Sequence, residues 1–148
     1  MKKNDYIINP KTGTPVFGTI PSINNKSYTF PEGDIFLKYG EHRGVNRGFG
    51  IRHIWQEHQA DIISMGYEHT DKYILTAHYV SDILKSGAKI YYEFENRRYD
   101  RVTILKSPIG IAIIEHREDA DNNPIYLVIT AFKQGRKTPH GYQIGKLK

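Results

Sequence analysis

Residues 102–113 read VTILKSPIGIAI, two short segments on either side of a Ser-Pro pair in which isoleucine or valine recurs at every second position. A period of two places successive side chains on opposite faces of an extended chain, so each segment predicts a β-strand. The same period occurs in residues 90–94 and 125–129. The connections between these segments are too short for crossover helices, which predicts antiparallel pairing.

Two helices are predicted upstream of these strands. Apolar residues recur at spacings of three and four from Gly50 to Met65, and Gly66 is a typical helix stop. A second helix is predicted from the N-cap pair Thr70-Asp71 to a position before Gly87. Helices followed by a meander of strands indicate an α+β domain.

Prolines and glycines interrupt every periodic run in residues 1–33, which predicts an irregular N-terminal arm. Residues 34–39 predict a short strand, and the glycine-punctuated residues 40–50 predict a loop that carries His42. We therefore expect an arm over residues 1–33 and one nuclease-like α+β domain over residues 34–148. That domain would contain two helices and a four- to five-stranded antiparallel sheet.

The composition limits the kinds of site that the chain can contain. It has no cysteine, which excludes disulfides, thiolate metal sites and cysteine nucleophiles. The sequence turns polar directly after its first two lysines, and no apolar run is long enough to span a bilayer. We therefore expect a soluble protein without a membrane partner.

The net charge of +5 is distributed unevenly. Residues 1–83 carry equal numbers of cations and anions, so the whole excess lies in residues 84–148. Beyond residue 132 every charged side chain is cationic: Lys133, Arg136, Lys137, Lys146 and Lys148. A cationic edge attracts phosphates, whereas a solvated, solubilising tail is the other ordinary interpretation of such a run.

Residues 49–58, FGIRHIWQEH, place two histidines, an arginine and a glutamate on the first predicted helix. Imidazoles titrate near neutral pH and pass protons, which suits metal-free RNA cleavage. On an ideal helix His53 lies about 200° from Ile51 and faces away from the apolar stripe, whereas His58 lies about 20° from it. Zinc-binding His-Glu-x-x-His helices need a spacing of four, so the spacing of five predicts no metal site. Glu57 follows His53 by four and could orient its imidazole.

Each of these residues also has an ordinary structural interpretation. His58 lies on the apolar face of the predicted helix, where a histidine is typically a buried core residue. His53 lies on the opposite face, where a histidine is typically exposed to solvent. The cations Arg52, Arg97, Arg98 and Arg101 are typical of surface charges. The helical wheel favours His53 as the solvent-facing residue, but a site between helix and sheet favours His58, so the sequence leaves open which histidine acts.

The run GFGIRHIWQEH, the two helices and a strand meander containing YLVITAF with a basic segment after it resemble the barnase/EndoU/colicin/RelE-like nuclease superfamily. The likeness is to its prophage-linked and polymorphic-toxin branches and covers residues 34–148. In such domains a glycine-led helix supplies a catalytic histidine, and a late-strand hydroxyl helps hold the scissile phosphate. By this resemblance His53 matches the first histidine, His58 the second and Thr130 the hydroxyl.

Charge, histidines and resemblance together predict a metal-independent endoribonuclease toxin with no cofactor and with RNA as substrate, tRNA being one candidate. A base removes the proton of the ribose 2′-hydroxyl, an acid protonates the departing 5′-oxygen, and cations stabilise the phosphorane. The product would carry a 2′,3′-cyclic phosphate. His53, His58 and Thr130 are the expected catalytic residues. The expected substrate-binding residues are Arg52, Arg97, Arg98, Lys133, Arg136 and Lys137.

The toxin resemblance also implies partners and a place of action. A contact-dependent or prophage-type toxin acts in the cytoplasm of a target bacterial cell, delivered as the C-terminal domain of a secreted protein, and an acidic immunity or antitoxin protein neutralises it. Two other classes stay open. One is a noncatalytic RNA-binding module whose eleven tyrosines stack on bases, and the other is an ADP-ribosyltransferase-like toxin that consumes NAD.

Overall fold

Two helices pack against a seven-stranded sheet in the computed structural model of the chain, which describes residues 1–93, 100–135 and 139–148. The helices are α1, Gly50–Ser64, and α2, Lys72–Ile83. The strands are β1 Val16–Ile20, β2 Ile23–Asn24, β3 Thr29–Phe30, β4 Gly33–Phe36, β5 Glu41–Gly44, β6 Arg47–Phe49, β7 Lys89–Tyr92, β8 Arg101–Lys106, β9 Gly110–Glu118, β10 Pro124–Lys133 and β11 Tyr142–Lys146. The predicted α+β class is confirmed.

The strand order of the main sheet is β1-β4-β10-β9-β8-β7-β11. β7, β8, β9 and β10 form the antiparallel meander expected from the alternating segments, and β11 pairs antiparallel with β7 at one edge. β4 pairs with β10 in parallel. The expectation of four to five antiparallel strands is therefore wrong in number and in one orientation. The long segment between β4 and β10, which includes both helices, allows the parallel return that short connections forbid.

The N-terminal segment is only in part the irregular arm that its prolines and glycines predict. β1 lies between Pro15 and Pro21, so these prolines bound a strand instead of preventing one. Phe17 and Ile20 of β1 are buried in the core, and β1 pairs antiparallel with β4. β2 and β3 pair with each other in a small separate sheet. β1 thus extends the main sheet beyond the predicted domain boundary.

Both helices begin and end close to their predicted positions. Asp71 caps α2, since its carboxylate accepts a hydrogen bond of 2.8 Å from the backbone N–H of Tyr73. Gly66 follows α1 with a φ of 92°, a conformation that glycine adopts without strain. Neither helix, among the residues that the structure describes, is long and apolar enough to cross a membrane.

α1 contains a kink at His58, whose backbone is non-helical with φ −130° and ψ 15°. Ile51 and Ile54 before the kink and Ile62 after it are fully buried. Burial of an isoleucine side chain contributes about 1.5–3 kcal/mol, so both parts of α1 are held against the rest of the fold. The kink changes where the side chains beyond it point.

The glycine-punctuated stretch that predicts a loop instead forms a hairpin of β5 and β6. Its turn contains Asn46 with a φ of 58°, a left-handed conformation that asparagine tolerates better than most residues. The hairpin packs against α1 and leads directly into it, because β6 ends at Phe49 and α1 begins at Gly50. His42 of β5 is thereby brought beside the first turn of the helix.

Candidate active site

A cavity of about 420 Å³ opens where the β5–β6 hairpin, α1, β8 and β10 meet. We call it the histidine cavity, and its lining residues are Asn46, Gly48, His53, His58, Arg101, Ile129, Thr130 and Phe132. All three residues predicted to be catalytic therefore lie around one space. They come from separate parts of the sequence, which only the fold brings together.

His53 is buried, with 4% of its surface exposed. The expectation that His53 faces solvent is therefore wrong, because the hairpin covers the side of α1 that the helical wheel leaves open. The Nδ1 atom of His53 lies 3.0 Å from Nδ1 of His42, a hydrogen-bond distance, and the two rings are stacked. One of these nitrogens donates and the other accepts, so the contact fixes the orientation of the buried imidazole.

Glu57 lies on the same side of α1 as His53 and is held by the hairpin turn. The backbone N–H of Asn46 donates a hydrogen bond of 2.6 Å to Oε1 of Glu57. Burial lowers the pKa of His53 below its ordinary value, since desolvation disfavours the charged imidazole, and the Glu57 carboxylate opposes this effect. His53 is therefore mostly neutral at neutral pH, the form that accepts a proton.

His58 is half-buried and lines the same cavity. The expected angle of about 140° between His53 and His58 assumes an unbroken helix, whereas the kink lies at His58 itself. The ring of His58 lies 5.7 Å from that of Phe132 on β10. Burial lowers its pKa as well, and Glu57 and Asp61 oppose this by favouring the charged form.

Thr130 lies on β10 beside a register shift in the pairing of β10 with β9. Such bulges redirect side chains and are common next to active sites. The Thr130 hydroxyl is buried and has no hydrogen-bond partner among the described residues. Leaving a buried hydroxyl unpaired costs free energy, so this group is available to a ligand that enters the cavity.

Arg101 supplies a cation to the cavity. Its Nε donates a hydrogen bond of 2.9 Å to Oε1 of Glu115, a carboxylate with only 1% of its side chain exposed. Arg117 donates to the other oxygen of Glu115 from its Nε at 2.5 Å. The buried carboxylate thus holds two guanidinium groups in fixed positions, and the predicted surface charge Arg101 is a component of the site.

The predicted substrate-binding residues are less well supported than the histidines. Both Nε and Nη2 of Arg52 donate to the Gly40 carbonyl, at 2.8 and 2.5 Å, and its guanidinium lies over the Tyr39 ring. Arg52 therefore fastens α1 to the chain before β5 and does not line the cavity. Lys133 is exposed at the end of β10 and does not line it either. The other predicted contacts, Arg97, Arg98, Arg136 and Lys137, lie outside the described residues.

Among the residues that the structure describes, one group of side chains is close enough to hold a cation. Ligand atoms of His42, His53 and Glu57 all lie within 4.8 Å of one another. The expectation of no metal site rests on the spacing of His53 and His58. His42, which the hairpin brings close to His53, is not part of that pair. The imidazole contact and the Asn46 N–H bond to Glu57 form a hydrogen-bond network among the same atoms. Proton transfer and metal binding at this group differ in their response to EDTA.

Sequence reasoning missed His42 and Gly48, which the hairpin register places opposite each other. Gly48 has a φ of 146°, and a Cβ there would collide with the Glu41 carbonyl and lie 2.9 Å from Nδ1 of His53. The close approach of β6 to the helix therefore requires glycine. Gly44, Asn46 and Gly48, which are typical turn residues, are the sequence signal that favours a tight turn here.

Neither a protein-family model, nor a curated protein, nor a solved structure matches this chain. Its function is therefore inferred from the histidine cavity and its surroundings.

Proposed function

We propose that this chain is a metal-independent endoribonuclease that cleaves RNA through attack of the ribose 2′-hydroxyl. The observation that carries the proposal is the histidine cavity, in which His53, His58, Thr130 and Arg101 line one space. Two proton carriers, a hydroxyl donor and a fixed cation are the groups that phosphodiester transfer without a metal requires.

His53 is the proposed general base. In the tautomer in which its Nδ1–H donates to Nδ1 of His42, Nε2 carries no hydrogen and accepts the proton of the ribose 2′-hydroxyl. Burial favours the neutral imidazole that this role needs. The orientation set by His42 keeps Nε2 in one direction, which reduces the entropy lost when the substrate binds.

His58 is the proposed general acid. Burial lowers the pKa of His58, as it lowers that of His53, but two carboxylates, Glu57 and Asp61, oppose the shift at His58, whereas Glu57 alone opposes it at His53. His58 is therefore the better proton donor of the two, and its protonated form gives its proton to the departing 5′-oxygen. The 2′-oxygen forms a bond to phosphorus as the 5′-oxygen leaves, so the products are a 2′,3′-cyclic phosphate and a 5′-hydroxyl. DNA has no 2′-hydroxyl and would not be cleaved.

Arg101 and Thr130 are the proposed stabilisers of the phosphorane. A guanidinium held by a buried carboxylate offers its remaining N–H groups to phosphate oxygens in a fixed geometry. The Thr130 hydroxyl, which has no partner within the described ranges, would gain one only when a phosphate oxygen enters. This hydrogen bond raises the rate only as far as it strengthens while negative charge develops on the phosphorane.

We further propose that the nuclease acts as a toxin in the cytoplasm of a target bacterial cell and that an acidic protein neutralises it. The net charge of +5 and the cations that converge on the site support this partner, since opposite potentials speed association. Salt should slow that association, because exposed charges are screened beyond about 8–10 Å near physiological ionic strength.

Incubation of the purified protein with total RNA in excess EDTA tests the nuclease proposal. We expect cleavage that leaves 2′,3′-cyclic phosphate ends and that is lost in the double variant His53→Ala/His58→Ala. The matched control is His140→Ala, an exposed histidine that does not line the histidine cavity.

Three outcomes would overturn the proposal. Cleavage that is abolished by EDTA and restored by a divalent ion would assign His42, His53 and Glu57 to a metal. RNA binding that survives the double variant without any cleavage by the wild type would indicate a noncatalytic RNA-binding module. Consumption of NAD with no RNA cleavage would indicate an ADP-ribosyltransferase.

A further inference from the structure

A second cavity, of about 380 Å³, adjoins the histidine cavity and shares Gly48, Arg101 and Ile129 with it. We call it the cationic cavity, because its charged lining residues are all basic: Lys3, Lys38, Arg43, Arg101 and Arg117. Asn4 adds a further polar group. None of the described residues that line it is acidic.

The five cations come from five separate parts of the fold. Lys3 belongs to the N-terminal segment, Lys38 follows β4, Arg43 lies on β5, Arg101 on β8 and Arg117 on β9. Surface charges that serve only solubility are usually dispersed, whereas here the topology gathers them around one concave space. Lys3, Arg43 and Arg117 are exposed and Lys38 and Arg101 are half-buried, so an anion that enters this space would meet cations on several sides.

The carboxylates near the cationic cavity do not fully neutralise it. Glu115 is shared by Arg101 and Arg117, and Glu41 lies 3.4 Å from Nε of Arg43. Among the described residues, Lys38 makes a long hydrogen bond of 3.4 Å to Asn4 and lies over the Tyr6 ring. Desolvation, and then the charge of Arg117, lower the pKa of Lys38, so both its partial burial and the neighbouring guanidinium disfavour its charged form.

We propose that the cationic cavity binds a phosphate of the RNA strand adjacent to the scissile phosphate. This inference rests on the proposed nuclease function and deepens it, since it assigns a polynucleotide and not an isolated phosphodiester as the substrate. Arg101 lines both cavities and so lies between the two phosphate positions. A single strand that enters the site passes from one cavity to the other without leaving the cationic surface.

Binding of a labelled single-stranded DNA in EDTA tests the subsite without requiring catalysis, because DNA lacks the 2′-hydroxyl. The test variant is the double substitution Lys3→Met/Lys38→Met, which keeps the aliphatic stems. The matched control is Lys89→Met/Lys146→Met, two exposed lysines paired across β7 and β11 that line neither the histidine nor the cationic cavity. Both doubles remove the same charge from the chain.

We expect fluorescence anisotropy to show an affinity lowered about tenfold in the test variant relative to the control. The slope of log affinity against log salt should be shallower by about 0.7 for each phosphate that the variant no longer binds. Lys38→Arg keeps the cation and should keep the affinity. On RNA, the test variant should lose more kcat/KM for an oligonucleotide than for a dinucleotide.

Equal affinity of the test and control doubles for the DNA would overturn the subsite. So would a test variant that binds polyglutamate more weakly but the DNA as tightly as before, since it would assign the cationic cavity to an acidic protein. DNA binding that depends on Lys3 and Lys38 in a protein that never cleaves RNA would keep the cationic cavity as a phosphate-binding site while contradicting the nuclease proposal, so the two failures are distinguishable.

Discussion

The Nδ1 atoms of His42 and His53 lie 3.0 Å apart, although one residue belongs to a hairpin strand and the other to the first turn of the helix that follows it. The contact is local in the chain and depends on the tight hairpin between the two residues. It gives the buried imidazole of His53 a partner within the protein, and it leaves one nitrogen of that ring for a substrate.

Replacement of His42 tests whether it positions His53. In His42→Ala the buried Nδ1 of His53 loses its partner, which costs about 1–3 kcal/mol, and the base is no longer held in one orientation. We expect kcat to fall about 10- to 100-fold, by analogy with the loss of a partner that orients a metal-bound imidazole. His42→Asn keeps a hydrogen-bonding group and should recover part of the rate. A wild-type rate in His42→Ala would show that the contact is only structural.

Single replacements of the two cavity histidines separate base from acid. His53→Ala and His58→Ala should each lower kcat by about two to four orders of magnitude, the usual contribution of general acid–base catalysis. His53→Ala should also lower the melting temperature, because His53 is buried and hydrogen-bonded, whereas half-buried His58 should affect it less. Wild-type rates in both variants would contradict the assignment of the two histidines to catalysis. His140→Ala is the exposed control.

Two glycines of the hairpin form a matched pair. Gly48 has a φ of 146° and Gly44 a φ of 141°, but a Cβ at Gly48 meets His53 and Glu41, while a Cβ at Gly44 meets nothing within 4 Å. Alanine in such a conformation costs about 1–3 kcal/mol at either position. Gly48→Ala should lose more stability than Gly44→Ala in urea unfolding, and it alone should lower kcat. Equal losses of stability and of kcat in the two variants would show that backbone strain, and not the close approach to His53, causes them.

Stability at acid pH should depend on Asp82. Burial opposes ionisation of this carboxyl, but hydrogen bonds from Lys11 and Tyr67, with Lys85 nearby, outweigh it and hold its pKa below the ordinary value of 3.8. Because the pKa of Asp82 is lower in the folded state, its carboxylate stabilises the fold at pH values above the ordinary pKa. This contribution to the free energy of unfolding is lost as the pH falls through the folded pKa.

The variant Asp82→Asn removes this charge with little change in shape. Hydrogen bonds to charged groups contribute about 1.5–3 kcal/mol, so we expect a loss of that order in urea unfolding near neutral pH and a progressively smaller difference from wild type in acid. Asp121→Asn, in an exposed loop, is the control. A difference that stays constant down to the acid limit would contradict this account.

Local patterns are enough to predict both helices and the antiparallel meander. The hydrophobic period distinguishes helix from strand, and Asp71 and Gly66 mark helix ends through their own backbone preferences. The parallel pairing of β4 with β10 is not predictable in this way, because it joins segments far apart in the chain and depends on tertiary packing. β1 is not predicted, because a single sequence does not distinguish a proline that bounds a strand from one that interrupts it.

The residue types of the candidate site could be predicted, but their surroundings could not. A helical wheel assumes that one side of α1 is covered, whereas the β5–β6 hairpin covers a second side. The kink at His58 also changes the angle between His53 and His58 that a regular helix would give. In the sequence Arg101 resembles any surface arginine, and only the structure shows that Glu115, its partner across β8 and β9, is buried. Contacts across strands of this kind are set by register, which a single segment does not reveal.

A substitution at Thr130 should change activity without a matching change in stability. Its hydroxyl is buried and unpaired among the residues that the structure describes, so Thr130→Val removes an unsatisfied polar group and keeps the volume of the side chain. We expect no loss of stability, and a small gain is consistent with the same reasoning. If the hydroxyl donates to a phosphate oxygen in the transition state, kcat should fall about 10- to 100-fold, a loss of about 1.4–2.7 kcal/mol.

The comparison for this variant is Thr76→Val. The hydroxyl of Thr76 is also within a buried residue, but it donates a hydrogen bond of 2.8 Å to the Lys72 carbonyl and lies on α2, outside the histidine cavity. We expect Thr76→Val to leave kcat unchanged, whatever its effect on the melting temperature. Thermal unfolding and single-turnover cleavage of RNA measure the two quantities separately. An unchanged kcat in Thr130→Val would exclude the hydroxyl from the reaction, because its removal leaves every other group around the histidine cavity in place.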